Sequence, residues 1–199
     1  ISTDPWMGGD HYAYYGSWRL PYDIPENIKE NIFKSEYIWF SHGHPDHINH
    51  DSLNFFKNNK ILISNHFGSR IYNDFKLENL KVQILEDRKW INLSKNISVM
   101  SIISNIQDSI LLIRVDNDVF INLNDAGPYS SKFIKKTVSK FRRKFLLSIA
   151  TFEADMLNFF DENNNFIKPA ISEKFSAGKY LSILANIFGA KYIIPFSSI

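Results

Sequence analysis

Apolar residues recur along this chain in short runs of strand length. Tyr37-Ile38-Trp39-Phe40 and Ile61-Leu62-Ile63-Ser64 are nearly continuous apolar runs, whereas Val82-Gln83-Ile84-Leu85 and residues 97–102 alternate with period two, so all four predict strands. Residues 109–116 and 119–123 predict a hairpin joined by Asn117-Asp118, a pair that tolerates turn geometry. Ile1-Ser2-Thr3-Asp4 reads as the end of a strand, and residues 145–150 and 191–196 as two more. Helical spacing runs over 50–58, where Leu53, Phe55 and Phe56 are apolar and Asp51 or Ser52 stands ready to cap. It recurs over 67–75, over the basic stretch 131–143 and over 172–188, which Gly189 ends. Asn163-Asn164-Asn165 reads as a loop tip. Strands dominate the first two thirds and alternate with helices in the last third, which predicts an α/β (layered α+β) class with sheets covered by helices.

Composition narrows the function classes. At 199 residues and 15% aromatic, the chain is long enough for one domain with a sizeable core. A net charge of +2 gives no case for nucleic acid. Lys132, Lys135, Lys136 and Arg142 read as a solvated helix face, with contact to an anionic substrate as the alternative. No cysteine is present, which removes disulfides, thiolate zinc sites, a cysteine nucleophile and any iron–sulfur centre within this chain. With no 18-residue apolar run and no signal-like start, the expectation is a cytoplasmic chain without a membrane span. The first residue is Ile1, inside a strand-like segment, and the chain stops just past another. The expected organisation is therefore a single domain over 1–199, truncated at both ends.

The chemistry is concentrated in Ser41-His42-Gly43-His44-Pro45-Asp46-His47, an H-x-H-x-D-H register directly after an apolar strand. Neutral imidazole and carboxylate suit zinc, iron and manganese, and a loop leaving a strand can aim alternate side chains at one or two ions. The bland alternative, a His-rich surface turn, does not account for four ligating side chains in six residues.

The motif resembles the signature of the metallo-β-lactamase superfamily. Asp4-Pro5-Trp6, the lead-in 35–41 and Phe120-Ile121-Asn122-Leu123-Asn124-Asp125 are similar to the branch holding ascorbate-6-phosphate lactonases, N-acylphosphatidylethanolamine phospholipase D and, above all, CMP-N-acetylneuraminate hydroxylase. The resemblance implies an αββα sandwich with the metals at one edge of paired sheets. It also implies that His42 and His44 hold one ion, that Asp46 and His47 hold a second and take part in catalysis, and that Asp125 bridges the two. Asp4 would orient a ligating His from behind. His11, His66 and Asp108 are further candidates, the two histidines being read otherwise as surface residues. The implied cofactor is one or two divalent ions, Fe or Zn with Mn as a further choice.

One departure separates the chain from hydrolases of that superfamily, which add a later His to each ion. No histidine follows His66; 104–108 offer Ser, Asn, Gln and Asp, and Ser197-Ser198 only hydroxyls. Fewer imidazoles favour an iron oxygenase with open positions, hydroxylating an activated sugar, over a dinuclear hydrolase acting on phosphodiesters or lactones. A degenerate metal- or nucleotide-binding module is the remaining alternative. In the hydroxylase family a Rieske centre supplies electrons, so the partners implied are an electron-donor domain or protein and an anionic small molecule such as a sugar nucleotide. Trp6, Tyr12, Tyr14, Tyr15 and Trp18 could form an aromatic wall over that substrate.

Overall fold

The computed structural model describes residues 1–7, 12–20, 22–150, 159–167 and 176–196. Among these, the strands are β1 (Ser2–Thr3), β2 (Tyr37–Phe40), β3 (Lys60–Ser64), β4 (Lys81–Leu85), β5 (Trp90–Asn92), β6 (Ile97–Ile103), β7 (Ser109–Val115), β8 (Asp118–Asn122), β9 (Arg143–Ile149), β10 (Phe159–Phe160), β11 (Phe166–Ile167) and β12 (Tyr192–Phe196). The helices are α1 (Glu26–Phe33), α2 (His50–Leu53), α3 (Arg70–Leu77), α4 (Ser131–Val138) and α5 (Ala177–Phe188). The chain divides into two compact units, Ile1–Ile91 with Met100–Ile110, and Asn92–Val99 with Leu111–Ile199. Among the described residues no helix is long and apolar enough to cross a membrane.

The first unit is built on a four-stranded sheet in the order β1-β2-β3-β4, every neighbouring pair parallel. Parallel strands are covered on both faces, which explains why β2 and β3 read as apolar runs. Ile38, Phe40, Ile61 and Ile63 face a core with Leu53, Phe56, Ile71, Phe75 and Leu80, and Trp39 and Leu62 are fully buried as well. Phe40 meets Phe75 edge-on at 5.4 Å. Each such side chain contributes roughly 1.5–3 kcal/mol by leaving water.

Helices stand between these strands, so the first part of the chain alternates strand and helix more than its sequence pattern suggests. α1 escapes the pattern because it is eight residues long with no buried position; Pro25 starts it, and Lys29–Glu26 and Lys34–Glu30 pairs lie on its surface. The helix expected over 50–58 is split into α2 and a 3-10 turn at Asn54–Phe56, and its cap is neither Asp51 nor Ser52. Asn49 fills that role, its Oδ1 accepting from the Ser52 amide at 3.0 Å.

The second unit holds β8, β9 and β12, which pair in parallel in the order β12-β9-β8, while β7 pairs antiparallel with β8. Val115 pairs with Asp118, so the hairpin turn is Asp116-Asn117, one residue earlier than the sequence suggests, with Asp116 at φ 51°. Asp118 is drawn into the strand by Arg143, whose guanidinium donates to both of its carboxylate oxygens and holds the Asp118 carboxyl below its ordinary range. Arg143 in turn begins β9, which is why α4 stops at Val138 and does not run on to 143. Lys132, Lys135 and Lys136 are exposed on α4. α5 is capped by Ser176 and closed by Gly189 at φ 68°, a left-handed position that suits glycine. The loop tip at 163–165 is closed by Asp161, which accepts from the Asn163 and Asn165 amides.

Candidate metal centre

β2 ends at Phe40 and the chain turns at once into the H-x-H-x-D-H loop, so a largely buried strand anchors the candidate ligands. The loop closes on itself through His47 and Ile48 amides donating to the His44 carbonyl, at 3.0 and 2.8 Å. Local folding therefore brings Asp46 and His47 back beside His42 and His44. The His42 ring centroid lies 4.5 Å from that of His44 and 4.2 Å from that of His47.

Asp4 organises the loop from behind. Its Oδ1 accepts the Ser41 amide at 2.8 Å, and its Oδ2 accepts the Ser41 hydroxyl at 2.7 Å and faces His47 Nδ1 at 3.1 Å. These contacts assign the tautomers. His47 Nδ1–H donates to the carboxylate, which leaves Nε2 with a bare lone pair. Because Ser41 spends its only proton on Asp4, its oxygen accepts from His42 Nδ1–H at 2.9 Å, and His42 Nε2 is bare too. One half-buried carboxylate thus presents two imidazoles in the form a metal ion requires.

The bare nitrogens have partners at ligand spacing. Asp46 Oδ2 is 3.4 Å from His47 Nε2, close to the roughly 3.3 Å that separates two donors on a tetrahedral ion with bonds of ~2.0–2.1 Å. His42 Nε2 and His44 Nδ1 lie 2.8 Å apart, so a shift of about half an ångström lets them share an ion. Asp108, itself buried, places Oδ1 3.8 Å from His42 Nε2. Of these side chains, His42 and His44 belong to a His/Asp group that could hold a metal ion.

The remaining candidates are Asp125, His11 and His66. Asp125 lies in the 3-10 turn Asn124–Ala126 that follows β8, within the second unit. His11 lies outside the described residues, as do Ser197 and Ser198. His66 is not a surface residue: it is buried, and its Nε2–H donates to the Ser41 carbonyl at 3.1 Å and faces Ser109 Oγ at 3.2 Å. Burial lowers its pKa, so it braces the motif strand as a neutral ring. The aromatic group at 6–18 is not one wall, since Trp6 is buried, Tyr15 is fully exposed and Tyr14 packs on Trp18. Two participants carry no sequence signal: the Ser41 hydroxyl, and Tyr14, whose Oη donates to Asp46 Oδ1 at 2.8 Å across 32 positions.

No protein-family model matches the chain. The cytidine monophosphate-N-acetylneuraminic acid hydroxylase of Asterias rubens is 27% identical over 106 residues, 49% of this chain and 16% of that protein. Among solved structures, a mutant of CmlA beta-hydroxylase matches with a TM-score of 0.50 at 10% identity, over 79% of this chain and 35% of the other. The metallo-beta-lactamase fold protein YhfI from Bacillus subtilis matches with a TM-score of 0.49 at 15% identity, over 82% and 66%. The chain shares the fold of the CmlA beta-hydroxylase structure over the matched stretch. It spans about a third of the length of the CmlA structure and less of the curated relative. The H-x-H-x-D-H loop leaves the carboxyl end of β2, an interior strand of the parallel sheet.

Proposed function

We propose that this chain is the metal-bearing part of an iron-dependent hydroxylase acting on an activated, anionic sugar such as a sugar nucleotide. The observation that carries this reading is Asp108, a buried carboxylate 3.8 Å from His42 Nε2 in the segment where hydrolases of this fold supply an imidazole. Two His and one carboxylate form the type of set that suits non-haem iron. The partial likeness to the Asterias rubens hydroxylase supports the same choice.

In this proposal His42, His44 and Asp108 hold the first ion and Asp46 and His47 the second. Bound iron would supply activation of dioxygen, by which a substrate C–H would become C–OH with two electrons from a donor domain or protein and two protons from solvent, the second oxygen atom leaving as water. Asp4 keeps His47 in its ligating tautomer, and through Ser41 it does the same for His42. His66 holds the strand end from which the loop departs. Trp39 and Phe40, fully buried at the end of β2, fix the strand end in the core.

A second reading, a metal-dependent hydrolase, draws support from the 3.4 Å Asp46–His47 spacing, which suits a second ion and activation of a bridging water. Metal analysis and oxygen consumption separate the two. The full-length protein, purified without oxygen, should hold iron and consume oxygen with reductant and a sugar nucleotide. Cleavage of phosphodiesters or lactones by the zinc form, with no oxygen uptake by the iron form, would establish the hydrolase instead. Failure to retain any metal would leave a binding module.

A further inference from the structure

The geometry points to Tyr14 as a positioning residue of the metal centre, one that fixes Asp46 so that a single carboxylate oxygen is presented to the ion beside His47. This inference rests on the metal-centre reading above and concerns a residue that no motif marks.

Tyr14 Oη donates to Asp46 Oδ1 at 2.8 Å, while the other oxygen, Oδ2, lies 3.4 Å from His47 Nε2. The phenol therefore occupies one oxygen and turns the second toward the imidazole. A carboxylate free to rotate could bind an ion through either oxygen or both; one held by a phenol binds through Oδ2 alone. Asp4 performs the matching task on the opposite side by holding His47 Nδ1. The two members of the donor pair are each oriented by a different residue of the N-terminal segment.

The loop bearing Tyr14 is shaped for this contact. Ala13 and Trp18 pair through two backbone hydrogen bonds, 2.9 and 3.2 Å, closing a tight loop over 13–18. Inside it Tyr14 and Tyr15 have φ of 48° and 58°, a left-handed conformation that bulky L-residues disfavour and that persists only where surrounding contacts impose it. Two contacts do so: the Tyr14 ring packs on Trp18 at 4.7 Å between centroids, and buried Asn49, just past the motif, donates from Nδ2 to the Tyr12 carbonyl at 2.8 Å. An uncommon backbone conformation is thus held at the one place that delivers a hydroxyl to a ligating carboxylate. Tyr15 follows the same conformation yet points into solvent, which marks Tyr14 as the residue the loop serves.

Cobalt titration of the metal-free protein, followed by its visible absorption, tests the assignment. Tyr14→Phe keeps the ring and its packing on Trp18, so its melting should match wild type, while at least one Co2+ step should weaken about tenfold or more and the Co2+ spectrum should change. In an Asp46→Ala background the same substitution should have no further effect, because Tyr14 acts only through that carboxylate. A Tyr14→Phe titration and spectrum identical to wild type would overturn the proposal, as would an additive loss in the Asp46→Ala background. Wild-type protein that takes up no Co2+ would remove the metal centre itself, an outcome recognisable because wild type and variant would then behave alike without any metal.

Discussion

Asp4 Oδ2 and His47 Nδ1 meet at 3.1 Å across 43 residues of sequence, and the same oxygen accepts the hydroxyl of Ser41, whose own oxygen faces His42 Nδ1. One carboxylate just past a two-residue edge strand therefore governs the tautomers of two candidate ligand imidazoles. Asp4 itself sits at φ 42° with its amide donating to the Trp39 carbonyl, so the backbone holds it in place before any side chain is considered.

Asp4→Asn keeps the size of the side chain and replaces one acceptor oxygen with a donor. We expect metal affinity to fall 10- to 100-fold, the range for residues that orient ligands, with the fold retained. Equilibrium dialysis with Zn2+ or Mn2+ alongside a thermal melt measures both; unchanged affinity would exclude the orienting role.

His44→Ala should abolish stoichiometric metal binding and leave the melting temperature close to wild type, because His44 is exposed on the loop and contributes little to the core. The contrasting change is Phe75→Ala, expected to cost about 3–5 kcal/mol, since that ring is fully buried against Phe40. Denaturant unfolding distinguishes the two directly.

Stability should decline as pH falls below about 6.5. His66 has its pKa lowered from an ordinary value of 6.5 by burial, so the unfolded chain takes up its proton first. With more protons bound in the unfolded state, the contribution of neutral His66 is complete above that pH and is lost progressively as pH falls toward the depressed folded value. Unfolding curves from pH 8 to pH 5 should show this slope in wild type and a shallower one in His66→Gln.

Gly43→Ala should be close to neutral, within about 1 kcal/mol, although the residue lies between two ligating histidines. An added Cβ would come within 3.0 Å of Arg70 Nη2 and 3.5 Å of Ile71 Cδ1, and the first of these is the free end of a flexible side chain that can swing away. A loss of metal binding in this variant would show that the loop tolerates less displacement than these distances imply.

Much of the parallel sheet could be read from the chain because β2 and β3 are buried on both faces, and burial on both faces leaves an unbroken apolar run that needs no partner to be recognised. The clustering in the H-x-H-x-D-H loop was equally legible: four side chains in six residues are brought together by a local turn, and local geometry is what spacing encodes. The short helices α1 and α2, the one-residue shift of the β7–β8 turn and the early end of α4 were not, because each depends on a distant contact such as Arg143 with Asp118. The same division runs through the site. Sequence alone determined which side chains could bind an ion. Only the tertiary structure decided which of their atoms are bare, because the hydrogen bonds that set those lone pairs come from Asp4 and Tyr14, each more than thirty residues away along the chain and within about 3 Å in space.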